Sequence, residues 1–489
     1  MQTKLIQILI IIVGLFVAFW VITSSVVLPE NLQVSTLVSI ILIGLIAVIF
    51  RKQPFDYKLL SLLLLGYAFA GKGFAYITPM EPIYIGEIVL IFCTLGYLLR
   101  LIKGAKLFPD PLHWLILIWM AVVGIYLIDG FQKFGKLAIR DSAIGYYGIF
   151  FFASYAIFRN GKLNRAFGKV LIACILLSYM GCFIVITGIY DKVFTHSVIV
   201  HKYFEPHADA YLPLVAAGTI FGLMEGITRK SILFLFIGAI GFILLAGSKT
   251  AGIFALIVLI GFLVVFVRRV DLLVTSAIAV TITAVTFGIL LASGSTAIEK
   301  KIMESDQIRT ISDVGNSSGR ANDSTSDWRI SWWSIIAEDT MKENPLYGCG
   351  LGGDISGHFL ESVMRMDIKS INAQSYARYP HCVIMTVFGR LGLVGLSFFI
   401  ILLFGFARFL ILYARRYLRE THIDSTGLIA FSIFLAGVAN AMVQSTYEVP
   451  HGAIMNWVCL GYLVAHYHQG NVSRKTIPNM IGQQHPSNA

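Results

Sequence analysis

Apolar stretches alternate with short polar breaks along almost the whole chain. A helix needs about 20 apolar residues to cross roughly 30 Å of hydrocarbon. By that measure the pattern predicts fourteen spans: 4–29, 33–50, 59–77, 85–102, 112–129, 142–158, 166–189, 209–227, 231–247, 250–267, 271–293, 390–413, 425–444 and 451–467. Lipid offers no partner to backbone N–H and C=O groups, so stretches of this kind are helices. The weakest of them are 142–158 and 250–267. The predicted fold is all-α and polytopic, with about 12–14 transmembrane helices.

One break differs from the rest. Residues 294–389 form a long connection, in which 310–327 is rich in Ser, Asp and Asn. From Asp327, a good N-cap, a helix with Trp328, Ile330, Trp332, Trp333, Ile335 and Ile336 is predicted. Tryptophan favours the headgroup level, so this helix is expected to lie in the interface. It is expected to stop before Asn344-Pro345, where the Gly-rich run 348–353 demands tight turns. A second short helix is expected over 356–367. The chain thus divides into N-terminal spans (1–204), further spans (205–293), the long loop (294–389), C-terminal spans (390–467) and a tail (468–489). There is no tandem repeat.

Composition agrees with a membrane solvent. Hydrophobic residues make up 57% and charged ones only 13% of the 489 residues, too few to cover a soluble surface. The net charge of +11 comes from short basic clusters between apolar segments, which reads as topology and not nucleic-acid binding. Arg51-Lys52, Arg159 to Lys169, Arg229-Lys230, Arg268-Arg269 and Arg415-Arg416 fall on one side of the scheme. Placing that side in the cytoplasm puts both termini there and the long loop outside. Residues 4–29 are too long for a typical signal peptide and are read as the first span. The six cysteines show no metal-ligand spacing; whether Cys349 and Cys382 bond to each other is left open.

Four outer features carry candidate chemistry: Lys133/Lys136/Arg140, Lys249 in Gly247-Ser-Lys-Thr-Ala-Gly252, Arg329 beside Trp333, and His381 in Tyr379-Pro-His-Cys382. Clustered cations suit a lipid diphosphate, Arg as a bidentate fork and Lys as a point charge. Histidine titrates near neutrality and can take a proton from a hydroxyl. Glu448 and His451, on the last outer loop, are candidates to line the same cavity. Each has a bland alternative: Arg329 as a snorkelling interfacial cation, Lys249 as the end of a span, His381 as a loop residue before a helix. Lys72 and Glu87 lie in or near spans, and intramembrane charge points to function unless the side chain reaches the surface. His196, His201, Glu205 and His207 have no metal-site spacing, so no metal is expected.

The segment from Arg329 to Gly395 resembles the core of the O-antigen ligase and polymerase superfamily of bacterial membrane glycosyltransferases. The matching pieces are Arg329 with Trp333, then Pro345, Gly348, Gly350 and Gly352, then His381 with Met385, Phe388, Gly392 and Gly395. Ser248-Lys249-Thr250-Ala251 is similar to the family's earlier basic turn. Three positions depart from the pattern: Cys382 stands where Asn is common, Lys249 where Arg is frequent, and Arg390 where an acidic residue is frequent.

The resemblance implies a multi-pass protein of the bacterial inner membrane, with the long loop periplasmic. An acceptor hydroxyl would attack the anomeric carbon of an undecaprenyl-diphosphate-linked glycan, with inversion and without metal or other cofactor. The acceptor would be a glycan or lipid A-core. It implies His381 and Arg329 as catalytic residues and Lys249 as a diphosphate ligand; Arg140 joins Lys249 by topology alone. Trp333 would line the cavity with Glu448 and His451. A ligase is the leading reading because the spacing from His381 to its glycines fits that core. A polymerase of the same superfamily is the alternative, and a lipid-glycan flippase is the alternative from another class. A flippase would not need Arg329 and His381 gathered in one outer loop.

Overall fold

Helices are the only regular elements among the described residues of the computed structural model, which are 53–75, 77, 84–104, 110–186, 208–224, 258, 260–262, 325–362, 379–417 and 424–481. In chain order they are α1 (Phe55–Ala75), α2 (Ile85–Ile102), α3 (Pro111–Phe134), α4 (Lys136–Asp141), α5 (Ala143–Tyr146), α6 (Ile149–Phe158) and α7 (Asn164–Ile186). They continue with α8 (Ala208–Met224), α9 (Thr325–Glu343), α10 (Gly357–Ser362), α11 (Val383–Tyr417), α12 (Ser425–Ala441) and α13 (Pro450–Ile481).

The protein is an all-helical, multi-pass membrane protein. Four described helices, α1, α2, α3 and α11, are both long and apolar enough to cross a bilayer, and α12 and Tyr211–Phe221 are shorter apolar helices. The predicted spans 4–29, 33–50, 231–247 and 271–293, and nearly all of 250–267, lie outside the described residues, as does 310–324.

The predicted span 142–158 takes another form. It is broken into α5 and α6, following α4, by tight bonds from Gly145 N to Ser142 O and from Gly148 N to Gly145 O. Glycine weakens a helix, and here two of them fall one turn apart. Most of this stretch is buried, so it packs against protein instead of facing lipid. Two ends also differ from expectation: α9 begins at Thr325, and α13 runs to Ile481, well into the predicted tail.

Burial separates inner from outer helices. Every residue from 450 to 465 is buried, and α13 packs along α6 and α12. Helix α2 instead buries Val89, Leu90 and Cys93 and leaves Ile91, Phe92, Leu95, Leu98 and Leu99 outward. Helix α11 likewise exposes Ile400, Ile401 and Phe404. In water such faces would be a liability; in a bilayer, hydrocarbon is their natural neighbour. Helix starts follow local chemistry. Asp110 accepts a hydrogen bond from Leu112 N (2.8 Å) with Pro111 in the first turn of α3, and Asp424 accepts from Gly427 N (2.9 Å) at α12.

The feature that positions the site is a break in α11. Gly392 has φ 62° and ψ −162°, so the helix cannot continue its own bonding there. The Gly-rich loop after α9 supplies the missing partners. Cys349 N donates to Gly389 O (2.9 Å) and Gly350 N to Arg390 O (2.9 Å), while Leu393 N donates to Pro345 O (2.9 Å) and Val394 N to Leu346 O (3.1 Å). The approach is close: a Cβ on Gly392 would lie 2.3 Å from Leu346 O. On its other side the loop rests on α3 and α4, where a Cβ on Gly352 (φ 88°) would lie 2.5 Å from Phe134 Cβ and 3.0 Å from Ala138 N.

Gly392→Ala therefore adds both a left-handed strain and a backbone clash. It is expected to destabilise the folded protein by at least about 1–3 kcal/mol. The check is a fall in the thermal unfolding midpoint of the detergent-purified protein relative to wild type.

Candidate functional site

Helix α9 turns one face toward the body of the protein. Trp332 and Ile336, four residues apart, are buried with Phe359 and Leu360 of α10, and Met385 of α11 packs against them. The Trp332 and Phe359 rings stack with centroids 4.9 Å apart. This small core fixes the positions of the two neighbours that carry polar contacts. Trp333 Nε1 donates to Pro380 O (2.7 Å), pinning the residue before His381. Arg329 Nη1, one turn earlier, donates to Val443 O (3.2 Å) in the segment after α12.

His381 is the only non-glycine residue with positive φ among the described residues (52°). Histidine tolerates that region better than most residues, but it is uncommon, and such outliers gather at functional sites. Its Nδ1 lies 3.1 Å from Oε1 of Gln444, and its ring meets Trp332 edge-on at 6.1 Å. An amide oxygen is an acceptor, so this contact places the hydrogen of a neutral imidazole on Nδ1 and the basic lone pair on Nε2. Arg329 and His381 thus reach two consecutive residues, Val443 and Gln444.

A charged cluster lies beside them. The Tyr379 ring, two residues before His381, is flanked by the guanidiniums of Arg140 and Arg390, each 5.5 Å from its centroid. Asp141 forms an ion pair with Arg390 Nη1 through Oδ2, which also accepts from Gly352 N (3.1 Å). Its Oδ1 lies 3.6 Å from Arg140 Nε, too far for a hydrogen bond. Asp141 and Arg390 are buried, whereas the Arg140 side chain is 31% exposed. Loss of solvent holds the Tyr379 hydroxyl well above the usual phenol range, against the pull of Arg140 and Arg390, so it stays protonated. Buried Glu448 is an electrostatic neighbour of Tyr379, Cys382 and Arg390.

The structure therefore gathers Arg329, Trp333, His381, Arg140 and Glu448 from the sequence-predicted set. His451 is buried in the first turn of α13. Lys249 lies outside the described residues. Of the other outer cations, Lys133 is paired with Asp129 (2.7 Å) on the surface and Lys136 is exposed. Glu87 accepts from the hydroxyls of Tyr147 (2.8 Å) and Tyr146 (3.1 Å). Among the described residues no three His, Cys, Asp or Glu side chains are grouped as a metal site.

Sequence reasoning did not single out Gln444, Asp141 or Tyr379. Gln444 had one available signal, an amide at the end of an apolar span, and Asp141 another, an acid adjoining Arg140.

Residues 233–400 match the family model described as O-antigen ligase. No curated protein matches the chain. The matched segment contains Lys249, Arg329, Trp333, the loop glycines, His381 and Arg390, and leaves out Arg140, Gln444, Glu448 and His451. Residues 233–400 are about a third of the chain, and the likeness to O-antigen ligases is that of this segment.

No disulfide joins Cys349 to Cys382. Cys382 is 6% exposed, and burial raises its pKa, so little thiolate forms at neutral pH. Cys349, on the loop, is partly exposed. Maleimide at pH 7 is expected to label Cys349 faster than Cys382, with Cys382 gaining only as pH rises past the ordinary thiol range. Mass spectrometry of single-cysteine variants at pH 7 and 9 reads the order.

Proposed function

We propose that this chain is an inverting, metal-independent glycosyltransferase. It moves a glycan from undecaprenyl diphosphate to an acceptor hydroxyl at the periplasmic face of the bacterial inner membrane, with both termini in the cytoplasm. The observation that carries the reading is the meeting of Arg329 and His381 at Val443 and Gln444, within a segment of the O-antigen ligase family for the first two.

His381 Nε2 takes the proton as the acceptor oxygen attacks the anomeric carbon, and Gln444 holds the ring in the tautomer that allows it. The bond from the anomeric carbon to the diphosphate oxygen breaks, and charge grows on the departing diphosphate. Arg329, Arg140 and Lys249 neutralise that charge, most strongly in the transition state. Cys382, a buried thiol, serves as a small packing residue rather than a nucleophile. Glu448 and His451, both buried, line the same site. The ligase reading is preferred to the polymerase reading on the spacing of His381 to Gly392 and Gly395.

A purified assay with an undecaprenyl-diphosphate-linked glycan and a choice of acceptors tests both levels. Transfer to a lipid A-core acceptor supports a ligase, and joining of glycan units to one another makes it a polymerase. His381→Ala is expected to lower kcat by about two to four orders of magnitude with normal membrane insertion. Full activity in that variant removes the base. Arg329→Lys, which keeps charge but loses the fork, is expected to impair transfer at preserved expression; an unchanged rate rules out a bidentate contact.

A further inference from the structure

Arg140 and Arg390 meet the same carboxylate and the same aromatic ring, yet their surroundings differ. Arg390 is 1% exposed and its Nη1 is bound to Asp141 Oδ2. Arg140 is 31% exposed, and its Nε is held 3.6 Å from Asp141 Oδ1 without a hydrogen bond. Its remaining contact among the described residues is the face of Tyr379. A guanidinium adjoining a buried carboxylate would ordinarily close on it in a bidentate pair. Here Arg390 and Gly352 N hold the carboxylate through Oδ2, and Arg140 pairs only loosely with the other oxygen, Oδ1, at 3.6 Å.

We propose that Arg390 is a positioning residue for diphosphate binding: by occupying Asp141 it keeps the fork of Arg140 directed at the lipid-linked diphosphate. The inference rests on the glycosyltransferase reading for its ligand and adds a role at a position outside the expected site. Without Arg390, Asp141 is a buried carboxylate lacking that counter-charge, and Arg140, already 3.6 Å away, is able to supply one. The fork then turns inward and the diphosphate loses a charged partner. Tyr379, flanked by both guanidiniums at 5.5 Å, links Arg140 to the His381 loop.

The test is equilibrium binding of undecaprenyl diphosphate to the purified full-length protein, with thermal unfolding recorded for each variant. Arg390→Met is expected to weaken binding roughly tenfold or more, the loss of one hydrogen bond to a charged group. In an Arg140→Ala background the same substitution is expected to add nothing, because Arg390 acts through Arg140. Removing the captor as well, in Arg390→Met with Asp141→Asn, is expected to restore most of the affinity. Arg390→Lys, which keeps the counter-charge, is expected to fall between wild type and Arg390→Met. Additive losses for Arg140→Ala and Arg390→Met, or an Arg390→Met protein that binds like wild type, overturns the proposal. If Arg390→Met does not fold, the paired variant and Arg390→Lys carry the comparison, and no gain of affinity from pairing overturns it equally. Failure of the wild-type protein to bind the diphosphate counts instead against the glycosyltransferase reading.

Discussion

A membrane-spanning helix that breaks must find partners for the backbone groups it releases, and that requirement organises the functional end of this protein. At Gly392 the helix α11 leaves its own ladder, and carbonyls 389 and 390 and amides 393 and 394 are all answered by the loop 345–350. In a medium of low dielectric each unanswered group would cost on the order of several kcal/mol. The loop is therefore fixed on α11 from one side and on α3 and α4 from the other. Fixing it brings Gly352 N to Asp141, and Asp141 brings together two arginines from distant parts of the chain.

The same logic ties backbone to chemistry at His381. Its positive φ is a local cost, met by the surrounding contacts of Trp333 with Pro380 and of His381 with Gln444. The small core of Trp332, Ile336, Phe359 and Leu360 holds α9 in register, so that Arg329 lies one turn before the tryptophan that pins the histidine loop. Basic groups, a buried carboxylate and an imidazole are placed on four connected segments: α4, α9, the start of α11 and the stretch after α12. A buried ion pair is weak evidence for stability but can fix geometry, and Asp141–Arg390 fits the second use.

Much of this was legible in the sequence because it is written locally. Hydropathy alone predicts an all-helical, multi-pass chain, and the tryptophans and isoleucines from 328 to 336 predict the helix α9 as an interfacial one; that Trp332 and Ile336 are buried on it comes from the structure. The glycines at 348, 350, 352 and 392 stand out as a pattern, though only the structure shows that the two groups interlock. Arg329, Trp333 and His381 were recoverable because each sits inside a short motif. Gln444 and Asp141 were not, since their partners are far away in sequence: His381 lies 63 residues from Gln444, and Gly352 lies 211 from Asp141. Arg390 was visible only as a departure from a family pattern, and its counter-charge gives that departure a physical reason. The stretch 142–158 was expected as one continuous helix; its apolar composition hides the two glycines at which the structure divides it.

The account places one anionic lipid head among Arg140, Arg329 and the His381 ring. A cryo-electron microscopy map of the protein with undecaprenyl diphosphate bound tests that placement most directly. It is expected to show phosphate density within hydrogen-bond reach of the Arg140 and Arg329 forks, with His381 Nε2 facing the oxygen-linked end. Phosphate density on another surface, with these three side chains turned away from it, would contradict the account.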